Sequence, residues 1–265
     1  MPFAGLRVLS LESRRARDVE SLILRQGGVP FVAPSVKERA VDDHSIAFRF
    51  VEQLEAGAFE MVVCMTGVGL AFLRDAVKAE MPVERLADAL RRATVVARGP
   101  KPIAVLRSLQ VPVGVAIPEP NTWKEVVAGV KARAERRIAI LEYGRPNPEL
   151  TAALESLGCT VMTVSLYRWE LPEDIEPLRK AARGLTRGEF DLILFTSSVQ
   201  FDHLLEVARS LGIESEVLQA LAERVTIASI GPVTTAALAS KGLTPQIVPK
   251  SANLGALVMA AAGRG

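Results

Sequence analysis

Cysteine and histidine are scarce in this chain, two of each among 265 residues. No segment approaches the roughly 18 consecutive apolar residues of a membrane span. Two cysteines make neither a disulfide framework nor a metal site; Cys64 falls in an expected buried strand and Cys159 beside a turn, so both read as structural thiols. His44 falls in an expected linker and His203 on a helix between Asp202 and Leu204. Both are expected on the surface, and a histidine-based triad has little support. Charge of one sign is lacking too, since 32 basic against 30 acidic residues leave a net +2. That excludes the basic excess of non-specific nucleic-acid binding. The opening Met1-Pro2-Phe3-Ala4-Gly5-Leu6-Arg7 lacks the basic segment, apolar stretch and cleavage site of a secretory signal, so a cytoplasmic address is expected, with neither membrane nor nucleic acid as partner. There is no P-loop, and Gly67-Val68-Gly69 lacks the third glycine of a dinucleotide fingerprint. No metal-binding acidic pair at a strand end supports a nucleotide-sugar transferase.

What is present is a repeat with a spacing of about 131 residues. Phe59-Glu60-Met61-Val62-Val63-Cys64-Met65-Thr66-Gly67-Val68 returns as Phe190-Asp191-Leu192-Ile193-Leu194-Phe195-Thr196-Ser197-Ser198-Val199. Upstream, Leu6 to Leu11 is matched to Arg137 to Glu142. Downstream, Thr94-Val95-Val96-Ala97-Arg98-Gly99-Pro100 is matched by Thr226-Ile227-Ala228-Ser229-Ile230-Gly231-Pro232. At 265 residues the chain can bury two cores, and two domains are expected.

Short β-branched runs alternate with longer helical segments, the pattern of parallel sheets with crossover helices. Strands are expected at Arg7 to Leu11, Val29 to Ala33, Met61 to Met65, Thr94 to Ala97 and Val113 to Ile117. The second set is Arg137 to Glu142, Thr160 to Val164, Leu192 to Thr196, Thr226 to Ile230 and Pro245 to Val248. Helices are expected after Ser13, ending at Gly27-Gly28; from Pro146 to Gly158; and after Pro232 to Gly242. Val36 to Asp43 and Ser165 to Asp174 read as linkers at corresponding places in the repeats. Pattern alone leaves two arrangements open: serial domains, or one domain made of both chain ends and another of the middle.

In an open α/β sheet, ligands bind at the carboxyl ends of the strands. The turns expected there are rich in Gly, Ser and Thr and poor in carboxylates, which suits an anionic ligand. The plainer alternative is that Ser197, Thr122 and Asn253 are N-caps. Arg14, Arg15 and Arg17 cluster after the first strand and could meet an anion. Lys131, Arg133, Arg136 and Arg137 cluster at a helix end and read as structural. Glu12, Glu142 and Asp191 lie on or beside strands without forming an acid/base pair, so any chemistry rests on orienting a reactive substrate.

The segment Asp191-Leu192-Ile193-Leu194-Phe195-Thr196-Ser197, the turn Ile230-Gly231-Pro232-Val233-Thr234 with Gly242, and Leu157-Gly158 followed by Val164-Ser165-Leu166-Tyr167-Arg168 resemble uroporphyrinogen-III synthase, from Gly5 to about Met259. The resemblance implies two flavodoxin-like α/β domains with doubly wound parallel sheets, joined by a two-strand linker. Their boundaries fall at 1–36 plus 173–265 and at 37–172, with linkers near 34–43 and 165–174. It implies that hydroxymethylbilane is cyclised to uroporphyrinogen III by a monomer without metal or cofactor, with hydroxymethylbilane synthase upstream. Tyr167 then corresponds to a tyrosine that assists departure of the hydroxyl. Ser197, Ser198 and Thr234 bind substrate carboxylates. In the first half, which departs from the family pattern with Pro102 opposite Thr234, grip falls to Thr66, Gly67 and Lys101, and Arg14 and Arg145 are further carboxylate partners. The competing expectation is a non-catalytic two-lobed module that binds a small anion.

Overall fold

The computed structural model describes residues 3–43 and 45–263; His44 lies outside them. In chain order the elements are β1 (Arg7–Ser10), α1 (Ala16–Arg25), β2 (Val29–Val32), β3 (Lys37–Ala40), α2 (Ser45–Glu55), β4 (Met61–Cys64), α3 (Gly67–Glu80), α4 (Val83–Arg91) and β5 (Thr94–Ala97). There follow α5 (Pro100–Ser108), β6 (Val115–Ala116), α6 (Trp123–Val130), β7 (Arg137–Leu141), α7 (Pro148–Ser156), β8 (Thr160–Val164) and β9 (Tyr167–Glu170). The last are α8 (Glu176–Thr186), β10 (Leu192–Phe195), α9 (Ser198–Ser210), α10 (Glu214–Glu223), β11 (Thr226–Ser229), α11 (Pro232–Ala239) and α12 (Leu254–Ala262).

The chain forms two compact units, one of Met1–Lys37 with Glu170–Gly265 and the other of Glu38–Trp169. In the first, parallel strands run β11-β10-β1-β2; in the second, β6-β5-β4-β7-β8. Both are doubly wound α/β sheets of flavodoxin-like order. The chain passes between the units at Lys37–Glu38 and at Trp169–Glu170. Both passages lie in strands, β3 and β9, which pair with each other, so the stretches expected as linkers carry a two-stranded ribbon.

Each sheet buries both faces, as parallel sheets do. In the first unit, Ile193 and Phe195 point into a core with Leu9, Leu178 and Phe201, while Leu192 and Leu194 face Val8, Val19, Ile23 and Leu257. The second unit divides Val62 and Cys64 from Met61 and Val63 in the same way. Burial pushes the Cys64 thiol up to about 12, as befits an inert structural cysteine.

Pairing refines the repeat. Val8 lies opposite Leu192, and Ile138 opposite Met61. The equivalent positions are therefore Arg7 with Arg137 and Glu12 with Glu142, one residue off the match made on hydrophobicity. By the same count Arg145 falls opposite Arg15. The register brings out a repeated ion pair. Arg7 donates its backbone N–H to Asp191 Oδ2 at 2.8 Å and reaches Oδ1 with its guanidinium at 2.6 Å. Arg137 does the same to Glu60, at 3.1 and 3.0 Å.

Several element ends differ from expectation for local reasons. α7 starts at Pro148 because Asn147 caps it, accepting from Leu150 N–H at 3.1 Å. β6 is only Val115–Ala116, yet Gly114 and Ile117 N–H still donate to Val95 and Ala97 carbonyls at 2.9 and 3.0 Å. Pro245 to Val248 contributes one bridge, Ile247 with Ala228, because the Gln246 side chain accepts the Ile227 N–H that a fuller strand would take.

The basic cluster before β7 is structural: Arg133 pairs with Glu135 at 2.7 Å and Arg137 with Glu60. The hydrogen bonds from Arg133 and Thr94 pull the Glu135 carboxyl down to about 2. Asp191 is lowered by its hydrogen bond from Arg7, and Glu60 by the backbone N–H groups of Arg136 and Arg137. Carboxylates depressed on folding contribute stability that is complete above their unfolded values and is lost as pH falls through the folded ones. For Glu135 that window runs from about 4.5 to about 2. The three carboxylates are half-buried at the surface, so the effect is modest and partly screened by salt. Urea midpoints measured across this window should fall less steeply for Glu135→Gln than for the parent; equal slopes would refute the assignment.

Candidate functional site

In sheets of this order the ligand crevice lies beyond the carboxyl ends of the strands, where the winding direction reverses. That point falls between β4 and β7 in one unit and between β1 and β10 in the other.

In the second unit, Thr66 follows β4 and caps α3, its hydroxyl accepting from Gly69 N–H at 3.0 Å. The same hydroxyl shares a 3.2 Å hydrogen bond with the phenol of Tyr167. Tyr167 is only 2% exposed and stacks on Phe72 with ring centroids 5.4 Å apart. A Cβ at Gly69 would stand 3.0 Å from Glu142 O and 3.3 Å from the Tyr167 ring, so glycine leaves room for the tyrosine. At Gly67 a Cβ would meet the Lys101 backbone at 2.9 Å, which lets α3 and α5 start side by side. The Lys101 side chain is exposed, and Pro102, opposite Thr234 in the repeat, is buried.

Arg98 and Tyr143, which sequence reasoning passed over, complete this edge. Arg98 donates Nε–H to Met65 O at 2.9 Å, and its guanidinium lies 4.9 Å from the centre of the Tyr143 ring. Burial lowers its pKa, though a guanidinium stays charged at neutral pH. Trp169 meets Tyr143 at 5.7 Å and Tyr167 at 6.4 Å, both edge-on. Arg145 is exposed beside it, 6.0 Å from the Trp169 ring. The matched blocks held a signal for Arg98: it stands where the second repeat has Ile230, a charge replacing an apolar residue at a strand end. Glu142 is buried and accepts a short hydrogen bond from Ser165.

In the first unit, Ser197 occupies the N-cap position of α9 but makes no capping bond. Beside it, Thr196 N–H donates to Gln200 Oε1 at 2.8 Å, and Gln200 Nε2 returns to Thr196 Oγ1 at 2.7 Å. Thr122 and Asn253 are genuine caps, accepting from Lys124 and Ala256 N–H at 3.2 and 2.8 Å. Ser198 is buried at the start of α9, and Thr234 is 3% exposed in the first turn of α11. Because β10 and β11 are neighbours, their turns put Ser197, Ser198 and Thr234 along one edge. Arg14 is exposed in the turn after β1. Glu12, equivalent to Glu142, accepts a short hydrogen bond from the Thr196 hydroxyl.

His203 departs from its expected surface place. It is buried, with Nδ1 2.6 Å from Ser35 O, because its position on α9 faces inward and the backbone carbonyl satisfies the ring. Among the described residues no cluster of His, Cys, Asp and Glu could hold a metal, and no helix is long and apolar enough to cross a membrane.

Fold and sites together define a two-unit, flavodoxin-like α/β protein whose strand-end turns carry hydroxyls and arginines suited to anions. The model of the family "Uroporphyrinogen-III synthase HemD" matches residues 17–259, and the chain belongs to that family. Membership implies a tetrapyrrole substrate. Uroporphyrinogen III synthase from Thermus thermophilus, in a mutant form, is 27% identical with a TM-score of 0.74 over 96% of both chains. The Helicobacter pylori 26695 synthetase, 13% identical with a TM-score of 0.59 over 97% of this chain and 98% of its own, shares the fold. Among sequence relatives, the uncharacterized protein YjjA of Bacillus subtilis is 27% identical over 96% of this chain and 94% of its own length. A putative uroporphyrinogen-III synthase of Methanothermobacter thermautotrophicus is 35% identical over 36% of each chain.

Proposed function

We propose that this protein is a uroporphyrinogen-III synthase, a hydro-lyase that closes hydroxymethylbilane into uroporphyrinogen III with inversion of ring D, in haem, sirohaem or cobalamin formation. The observation that carries the reading is the family match, which runs through both units. In the reaction the C–O bond of the hydroxymethyl group and the C–C bond that ties ring D to the rest of the chain both break, and two new C–C bonds form that join ring D to its two neighbouring methylene carbons in the reversed sense. The hydroxyl and the displaced pyrrole proton leave as water.

The protein's part is to hold the chain in the curvature that leads to the inverted ring and to ease the hydroxyl away. Tyr167 donates a hydrogen bond to the departing hydroxyl, with Thr66, already bonded to its phenol, as the neighbour through which a proton is relayed. Gly67 and Lys101 beside Thr66, with Arg145, take substrate carboxylates in one unit. Arg14, Ser197, Ser198 and Thr234 take them in the other. The substrate comes from hydroxymethylbilane synthase, and the working species is a cytoplasmic monomer. Given hydroxymethylbilane, the protein should yield isomer III well above the spontaneous rate; isomer I alone, at the blank rate, would refute the reading.

The near-complete burial of Tyr167 favours a second reading, an anion-binding module without turnover. Under it, Thr234→Ala changes the affinity for uroporphyrinogen III while no isomer III forms even in the parent. Under the synthase reading the same variant raises KM about tenfold, the worth of one hydrogen bond to a charged group.

A further inference from the structure

The chain has two tyrosines and two tryptophans in 265 residues. Three of these four meet at the carboxyl edge of the second unit: Tyr143, Tyr167 and Trp169. Beside them lies Arg98, a largely buried cation that makes no ion pair among the described residues. Taking a charge out of water costs free energy unless an opposite charge offsets it. Among the described residues it is offset by one carbonyl, Met65 O at 2.9 Å, by the face of Tyr143 at 4.9 Å and, more weakly, by the phenol of Tyr167. The first two fix the guanidinium, and none neutralises it. The Nε–H is used on Met65, which leaves the two terminal nitrogens, the fork that grips a carboxylate bidentately. Neither terminal nitrogen is sealed from solvent without a partner; the one such buried atom among the described residues is Arg179 Nε.

We infer that Arg98, braced by Tyr143 and the Met65 carbonyl, is a carboxylate receptor that binds one acidic side arm of a polycarboxylate substrate and sets preference for substrates that carry it there. The inference rests on the synthase reading for its substrate, and on the protein's own geometry for its ligand class. It adds a braced, partly buried positive charge to an edge whose other cations, Lys101 and Arg145, are exposed. The repeat-equivalent Ile230 has no such charge, so the two units differ in ligand grip.

The test compares the parent with Arg98→Gln, Arg98→Lys and, as a charge-matched control, Arg107→Gln, which alters an exposed residue of α5. Calorimetric titration uses two probes: uroporphyrinogen III kept reduced, and benzenehexacarboxylate, which needs no turnover. Arg98→Gln should weaken both about tenfold or more, Arg98→Lys by less, and Arg107→Gln by under about twofold. With hydroxymethylbilane, Arg98→Gln should raise KM far more than it lowers kcat. Should Arg98→Gln fold poorly, Arg98→Lys keeps the charge and loses only the bidentate fork, so it decides alone. Equal affinity in parent and both Arg98 variants overturns the inference, as does an equal loss in Arg107→Gln or a parent that binds neither probe. A parent that binds benzenehexacarboxylate through Arg98 but forms no isomer III overturns the synthase reading and leaves the receptor standing.

Discussion

Tyr167→Phe is expected to lower kcat for isomer III about a hundredfold while KM stays within a few-fold of the parent. The phenylalanine keeps the stack on Phe72 and the edge contact with Trp169 and removes only the hydroxyl bonded to Thr66 at 3.2 Å. A positioned acid contributes roughly 10²–10⁴ to such a step, and the lower end suits a phenol that is nearly buried. Stability should drop by about 1 kcal/mol, the net worth of one neutral hydrogen bond. Tyr167→Ala removes the ring as well and should cost about 3–5 kcal/mol, as large aromatic truncations do. The informative comparison is therefore kcat against melting temperature. A phenylalanine variant with parental kcat would remove the tyrosine from the chemistry and leave it a packing residue.

A comparably large loss of stability is expected from Phe195→Ala. Phe195 ends β10, is fully buried, and meets Phe201 of α9 edge-on at 5.7 Å. Truncation removes the ring and opens a cavity that close-packed neighbours fill only in part, for about 3–5 kcal/mol. For a chain of this size that is a fall of roughly 10 °C in Tm. The effect should reach function, since Thr196, Ser197 and Ser198 follow directly and take their direction from this strand end. Phe195→Leu, which refills most of the volume, should recover most of both; a fall under about 2 °C for the alanine variant would show that the site repacks.

Much of the local structure was legible because its causes are local. Apolar runs marked the sheet strands, and Thr122 and Asn253, which could be read as N-caps, do cap helices. Ser197 was ambiguous in sequence and is resolved only in three dimensions: it stands at the N-cap position of α9 without a capping bond, while its neighbour Thr196 closes a ring of hydrogen bonds with Gln200, one helical turn on. His203 read as a surface residue because its neighbours Asp202 and Leu204 do not reveal which way α9 turns it. Ser35, far away in the chain, supplies the carbonyl that makes its burial tolerable. Glycines 67 and 69 suggested backbone donors for an anion, whereas their immediate environment is the Lys101 backbone and the Tyr167 ring. Arg98 was visible as a mismatch in the repeat, but its brace joins residues from three strand ends.

By itself the sequence determined that there are two similar α/β patterns, where most of their sheet strands and a few of their helices lie, and that their turns favour anions. Those features follow from periodicity, β-branching and turn chemistry, all properties of short segments. Only the tertiary structure decided which strands join. β1 pairs with β10 and β4 with β7, so each sheet combines the opening strands of one repeat with the closing strands of the other. The physical reason is that the two copies present nearly the same partner. Leu192 and Met61 stand at equivalent places, each preceded by an acid, and Arg7 or Arg137 would meet either carboxylate equally well. Local preference is silent between such alternatives; the long-range ladders and the pairing of β3 with β9 select one.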